Sequence, residues 1–339
     1  MYTVEVDLDL PRLAEWLKAE HSNLGRPVKA WLLAGGRSNI TIGLETAAGE
    51  RYCLRRPPGG DVAQSHNIER EYRFLERLQA SGLPVPAMLA YCGDRSVAGA
   101  PFFMMRFVEG TLCGDASDAT QLSDRMRWAT GHSMAPTLAQ LHGIDLVGTG
   151  VGDLARQEDF IGRQLRAMRR GLQPNDLERW PQFAAIETAL MTQRPAETEV
   201  TLVHGDFKMG NCIFADDGSI AAVLDWELAT LGSPLADVGW LVASWRPPGD
   251  TEPRILQAPS TVEGFPGVDE ILSAYQKATG RELADLPYFV GLAEWKWACI
   301  SVGIHRRYRQ ELMGAATVDL TILEREIDSR LAAAEAALR

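Results

Sequence analysis

Apolar residues recur at helical spacing first at Leu13, Trp16 and Leu17, which predicts a packing helix over Leu10 to Lys18 with Pro11 in its first turn. Shorter apolar runs follow, at Trp31 to Ala34, Ile40 to Glu45 and Arg51 to Arg55, and these predict strands. The first two are joined by Gly35-Gly36-Arg37-Ser38-Asn39, and the next two by a turn near Ala48-Gly49-Glu50. Helical spacing resumes at Ile68, Tyr72, Leu75 and Leu78, behind Ser65 as a possible cap. Gly82-Leu83-Pro84-Val85-Pro86 cannot continue that helix and turns the chain into strands near Met88 to Tyr91 and Phe102 to Val108. The unbroken run Phe102-Phe103-Met104-Met105 predicts burial on both faces.

Beyond a polar linker at Gly110 to Gln121 the period changes. Helices are predicted over Arg125 to Leu141, Asp159 to Arg170, Asp176 to Met191, Ala236 to Trp245, Asp269 to Thr279, Leu286 to Gln310 and Val318 to Leu338. Pro136 would kink or split the first of these. Brief strands at Val200 to Val203, Cys212 to Phe214 and Ile220 to Leu224 interrupt the helical half, and the Pro- and Gly-rich Pro247 to Pro266 reads as a mobile surface loop near a cleft. A strand-rich first part and a helical remainder make this an α+β chain, and its 339 residues suit two lobes, 1–109 and 110–339.

Composition narrows the function. A formal net charge of −11 argues against a general nucleic-acid binder, because phosphate contacts need clustered Lys and Arg. Cys53, Cys92, Cys113, Cys212 and Cys299 are scattered without a C-x-x-C pair, which suggests neither a disulfide framework nor a zinc site and fits a cytoplasmic location. The acidic Met1 to Asp9 shows no secretory signal, and no apolar stretch reaches the roughly 18 residues that span a bilayer. No membrane association is expected.

The chemistry concentrates in His204-Gly205-Asp206-Phe207-Lys208-Met209-Gly210-Asn211, followed by Leu224-Asp225-Trp226-Glu227. Phosphoryl transfer needs a carboxylate near the acceptor hydroxyl and hard oxygen ligands for Mg²⁺ on the phosphates. Asp206 supplies the first; Asn211, five residues on, and Asp225, fourteen beyond that, supply the second. The spacing is that of the kinase catalytic-loop pattern H-R-D-x-x-x-x-N with a later metal-binding Asp, with Gly205 in place of Arg. His204 reads as a loop-fixing residue. A hydrolytic metal centre built on His204, Asp206 and Asp225 would need further histidines, and none lies near the motif.

In this pattern the sequence resembles the aminoglycoside phosphotransferase and choline kinase-like superfamily, whose catalytic loop has the form H-G-D-x-x-x-x-N. Leu54-Arg55-Arg56-Pro57-Pro58-Gly59, Ile68-Glu69-Arg70-Glu71-Tyr72, Leu83-Pro84-Val85-Pro86 and Leu235-Ala236-Asp237 occur in the expected order, from about Trp31 to His305. Within it, the chain looks most like the branch related to kinase-like domains fused to some acyl-CoA dehydrogenases. The resemblance implies a protein kinase-like fold, with a strand-rich nucleotide lobe and a helical lobe for catalysis and the acceptor. ATP and Mg²⁺ are then the expected cofactors and a small hydroxylated molecule the partner. It also implies that Arg106 to Val108 form the hinge whose backbone meets the adenine, with Met105 behind the ring, and that Asp237 braces the catalytic loop. The C-terminal helices would line the acceptor pocket, with Trp295, Trp297 and Ile300 as an apolar wall and His305, Arg306, Arg307 and Arg309 as its basic end.

Three further nucleotide contacts come from position relative to this motif. Ser38 lies in a glycine loop that lets backbone N–H groups approach phosphates, although such a loop between strands also serves as a plain hairpin turn. Arg55 stands where the kinase pattern has its phosphate-contacting Lys; an ordinary exposed strand Arg is the bland alternative. Glu71 would meet Arg55 from the following helix, with Glu69 as rival. The expected activity is transfer of the γ-phosphoryl group of ATP to a small-molecule hydroxyl, on a hydroxyacyl-CoA or an aminoglycoside-like compound. A nucleotide-binding pseudokinase without turnover is the alternative.

Overall fold

Five antiparallel strands build the first lobe: β1 (Pro27–Leu32), β2 (Ile40–Thr46), β3 (Arg51–Arg56), β4 (Met88–Cys92) and β5 (Phe102–Arg106), in the order β1-β2-β3-β5-β4. The computed structural model describes residues 8–33, 39–58, 62–155, 158–197, 199–310 and 319–339, with backbone alone over 62–67. Ser38 and the glycine pair before it lie outside the described residues. Side chains alternate across a strand, and that alternation sorts the lobe's two faces. Tyr52, Leu54, Phe102 and Met104 face Leu13 and Leu17 of the helix Leu10–Glu20. Cys53, Phe103 and Met105 take the opposite parity and pack with Ile68, Phe74, Leu75 and Leu78 of the helix Val62–Leu78. Arg55 shares that parity, so it is aimed at this helix. Ser65 lies within the helix instead of capping it, because the helix starts at Val62.

The second lobe is helical. The helices Leu286–Arg309 and Leu320–Ala337 bury Trp295, Ala298, Val302, Ile327 and Leu331 in one core with Phe183 and Leu190. Two small sheets carry the loops that matter: β6 (Thr111–Leu112), β8 (Cys212–Phe214) and β9 (Ile220–Val223) form one, and β7 (Thr201–Val203) with β10 (Thr230–Gly232) the other. The stretch expected to be a linker thus supplies an edge strand. A single apolar cluster runs from Phe103 and Leu78 to Met134, Leu138 and Val223 and joins the two lobes.

Three elements differ from expectation. The helix expected over Asp176 to Met191 is two, Pro174–Arg179 and Gln182–Thr192, because Pro181 excludes the helical conformation at Trp180, whose φ and ψ are −126° and 77°. Pro136 leaves Asp124–His142 as one helix, held by the buried Met134, Ala135, Leu138 and Leu141 on either side of it. The segment 247–266 is anchored: Ala116 N–H donates to the Gln257 carbonyl at 2.9 Å, Trp245 Nε1 to the Pro266 carbonyl at 3.1 Å, and Arg254 and Pro259 are buried. Among the described residues no helix is long and apolar enough to cross a membrane, and the five cysteines are buried free thiols.

Candidate active site

The stretch after β7 is fixed by backbone geometry before any ligand is considered. Gly205 has φ of 84°, and a Cβ there would lie 2.9 Å from the Leu228 carbonyl oxygen. Only glycine adopts this turn without strain. Gly205→Ala is therefore expected to cost about 2 kcal/mol of stability and to misplace the loop, which urea melts and nucleotide turnover would register. Buried His204 accepts from the Asp206 N–H through Nδ1 at 3.2 Å and donates from Nε2 to the Leu224 carbonyl at 2.8 Å, so its proton sits on Nε2. The ring pins the loop and points at no cleft, as a loop-fixing residue should.

Asp237 completes the bracing from the helix Leu235–Ser244. Fully buried, it accepts the His204 N–H at 2.6 Å and the Gly205 N–H at 2.8 Å, and His142 Nε2 lies 3.4 Å away. A carboxylate only accepts, so His142 donates from Nε2 and takes a hydrogen bond from Tyr275 Oη on Nδ1 at 2.7 Å. Burial pushes the Asp237 carboxyl up, but His142, His204 and the Gly205 amide outweigh it and hold the carboxyl below its ordinary range. Burial, helped by the charge of Arg281, drives His142 down against the pull of Asp237.

Asp206 is saturated by fixed donors. Its carboxylate receives Trp240 Nε1 at 2.7 Å, Lys208 Nζ at 2.9 and 3.0 Å, and Asn211 Nδ2 at 2.8 Å. Asn211 also gives Nδ2 to the Asp206 carbonyl at 2.8 Å, which leaves its Oδ1 without a donor among the described residues. The Leu224 N–H donates to the Asn211 carbonyl at 2.8 Å, so the backbones of Asn211 and Asp225 are laced together. Asp225 adopts a left-handed φ of 65°, uncommon outside glycine, and its side chain is 34% exposed. One of its oxygens takes Arg55 Nη2 at 2.6 Å; the other has no protein donor among the described residues. The structure thus joins Asp206 to Asn211 by side chain and Asn211 to the residue before Asp225 by backbone, with one oxygen of Asn211 and one of Asp225 left over.

Arg55 bridges the lobes. Its Nε lies 3.0 Å from Glu71, its Nη2 contacts Asp225, and Glu227 is 4.0 Å off. Glu71 is 2% exposed, whereas the rival Glu69 faces solvent and pairs with Arg73 one turn away. Burial pushes Glu71 up to about 7 against the pull of Arg55. A raised carboxyl contributes stability below its unfolded value of 4.5 that is lost as pH rises through about 7. Glu71→Gln should therefore gain on the wild type as pH is raised from 5 to 8, a trend that paired urea melts would check.

At the expected hinge, Met105 is buried. The Arg106 N–H is taken by the Ala87 carbonyl at 2.8 Å and its side chain is exposed, so a ligand could meet only its carbonyl. The Val108 N–H has no partner among the described residues. Of the basic end expected on the last helices, Arg306 is bound to Asp176 and the Gly171 carbonyl and His305 to Glu324, and none of His305, Arg306, Arg307 and Arg309 lines the cavity beside the catalytic loop. Trp295 is core; Trp297 alone of the expected wall lines a cavity, stacked on Trp240 at 4.8 Å.

Sequence reading passed over Lys208, Trp240, Arg246, Arg254 and Arg330. Lys208, two residues past Asp206, and Arg330, interrupting the apolar stripe Leu323-Ile327-Leu331, carried a local signal. Arg246 and Arg254 did not. No cluster of three or more His, Cys, Asp or Glu side chains able to hold a metal occurs among the described residues.

A phosphotransferase enzyme family (APH) model matches residues 31–270, which include Arg55, Glu71 and the stretch from His204 to Asp237. The chain belongs to this family. It is 34% identical over 334 residues to acyl-CoA dehydrogenase family member 11 of Mus musculus, covering 92% of this chain and 41% of that protein. This phosphotransferase chain therefore spans about two fifths of its curated relative, in keeping with the acyl-CoA dehydrogenase-related branch. An aminoglycoside phosphotransferase assigned in Ralstonia eutropha superposes with a TM-score of 0.79 at 27% identity, covering 97% of this chain and 98% of that one. A spectinomycin phosphotransferase bound to ADP and spectinomycin shares the fold alone, with a TM-score of 0.63 at 12% identity over 98% and 99% of the two chains. The two-lobed fold, strand-rich then helical, is that of the kinase-like phosphotransferases.

Proposed function

We propose that this phosphotransferase moves the γ-phosphoryl group of ATP to a hydroxyl of a small molecule, in the cytoplasm, with residues 1–109 holding the nucleotide and 110–339 the acceptor. The observation that carries this is the Asp206 carboxylate, clamped by Trp240, Lys208 and Asn211, on a loop tied through the backbone to the strand end that carries Asp225, with two oxygens, Asn211 Oδ1 and the second of Asp225, that no protein donor among the described residues satisfies. An amide oxygen and a carboxylate oxygen are ligands suited to Mg²⁺, which when bound supplies charge neutralisation on the phosphates.

Asp206 orients the acceptor hydroxyl and takes its proton as the hydroxyl oxygen bonds to the γ-phosphorus; the bond from that phosphorus to the bridging oxygen breaks and ADP leaves. Fixed donors keep the carboxylate aimed, so positioning and electrostatics supply most of the rate. Arg55 Nη1, held among the described residues by a 3.4 Å bond to Thr41 alone, is the guanidinium's spare donor toward phosphate. Glu71 sets its orientation. Ser38 and its loop would cover the phosphates, and the Arg106 carbonyl and Val108 N–H would meet the adenine. Two acceptor classes are the candidates, hydroxyacyl-CoA esters and aminoglycoside-like compounds.

The test is transfer of label from γ-labelled ATP across hydroxyacyl-CoA esters, aminoglycosides, choline-like amines and sugars. Mg²⁺-dependent transfer to one class is expected, with Asp225→Ala at least about a hundredfold slower. Nucleotide binding without transfer to any of them would reject turnover and leave a binding module.

A further inference from the structure

A cavity of about 120 Å³ opens beside the catalytic loop, and its charged walls are all of one sign: Lys208, Arg246, Arg254 and Arg330. Lys208 reaches it while holding Asp206 at 2.9 Å, so the cavity begins one side chain away from the carboxylate. Trp297 forms its floor, with Lys208 Nζ 5.4 Å and the Arg330 guanidinium 4.2 Å from its ring centre. The carboxylates that pair with these cations, Asp250 with Arg246 and Glu294 and Glu326 with Arg330, stand behind them and are absent from the wall.

The cations are built in. Arg254 is 7% exposed and Arg330 3%, and the Nε of each is buried with no hydrogen-bond partner. Arg254 is otherwise held by the Pro253 carbonyl at 3.1 Å and by Ser329 at 3.3 Å, neither of which is charged. Burial, and then the like charges of Arg330 and Arg246, push its guanidinium down to about 10. Glu326 and Glu294 pull it back only in part. Lys208, Arg246 and Arg330 each have a carboxylate in ion-pair contact, whereas Arg254 has none among the described residues, so a buried cation in the wall is left for an anion to complete.

We propose that the phosphoryl acceptor is an anion, whose carboxylate or phosphate sits against Arg246, Arg254 and Arg330 while its hydroxyl reaches Asp206. This rests on the phosphotransferase reading above. It selects against a polycation such as an aminoglycoside, which would bring its ammonium groups to four cations. Planar guanidinium groups suit carboxylate and phosphate alike, and Trp297 offers an apolar face to the carbon skeleton between the two ends.

The experiment uses the whole chain with γ-labelled Mg-ATP and cell-extract metabolites separated by ion exchange at pH 7 into anionic, neutral and cationic fractions. Label is expected in compounds of the anionic fraction. Arg246→Gln and Arg254→Gln should each raise the half-saturating amount of that fraction at least tenfold with the half-saturating ATP unchanged; Arg246, less buried, serves if the Arg254 variant fails to fold. Treating the fraction with alkaline phosphatase separates the sources, since loss of acceptor activity marks a phosphate and retention a carboxylate. Transfer confined to the neutral or cationic fraction, or variants with unaltered acceptor saturation, would overturn the inference and leave the phosphotransferase reading standing. No transfer to any fraction would overturn both.

Discussion

Asp206→Asn is expected to lower turnover about a thousandfold, the usual contribution of a positioned general base, with ATP affinity changed less than threefold. The asparagine keeps the shape of the side chain and one acceptor for Trp240 or Asn211, so the loop should stay in place. Calorimetric titration with ATP and a labelled-transfer assay on the same preparation would separate binding from chemistry. A variant that transferred phosphate at the wild-type rate would remove Asp206 from the mechanism. Lys208 belongs to the same unit through its bonds to both carboxylate oxygens, so effects at the two positions should not add.

The second large effect falls on folding. Asp237→Ala should destabilise the chain by about 3–5 kcal/mol, the range for breaking a buried charged network by removing one partner, because the backbone amides of buried His204 and half-buried Gly205 lose their acceptor together with His142. Its pH dependence follows from the sign of the shift. The depressed carboxyl contributes stability above its unfolded value of 3.8 that is lost as pH falls through its folded value, so the gap between variant and wild type should close in acid. Urea unfolding at neutral and acid pH would show it. Asp206 and Asp237 both touch the catalytic loop, yet one is expected to cost rate and the other stability. What separates them is exposure: Asp206 opens to the cleft, and Asp237 is sealed beneath the loop.

The pairing of Arg55 with Glu71 was legible because strand parity and helical periodicity both operate over a few residues. Arg55 alternates with Leu54, which packs under the first helix, and Glu71 flanks the stripe of Ile68, Leu75 and Leu78. The choice of Glu71 over Glu69 needed the packing of that helix on the sheet. Local rules also located the strand ends around the catalytic loop and most of the helices, and they failed where a proline's effect depends on its surroundings. Pro181 ended a helix at the surface, whereas Pro136 sat within a helix whose neighbours were all held in the core. The hinge was legible only as a place, since its contacts are made by backbone atoms that every residue type shares.

By itself the sequence determined the chemistry-bearing loop, from the order and spacing of His204, Asp206, Asn211 and Asp225, and with it the kinase-like fold and the phosphotransferase family. It could not determine the acceptor wall. Lys208, Arg246, Arg254 and Arg330 come from a catalytic loop, a proline-rich segment and a C-terminal helix, and only the tertiary structure brings their charges into one cavity. Electrostatic fields depend on distance through space, not along the chain, so four cations diluted in a chain of net charge −11 show no excess until folding gathers them around one cavity and leaves their carboxylate partners outside its lining.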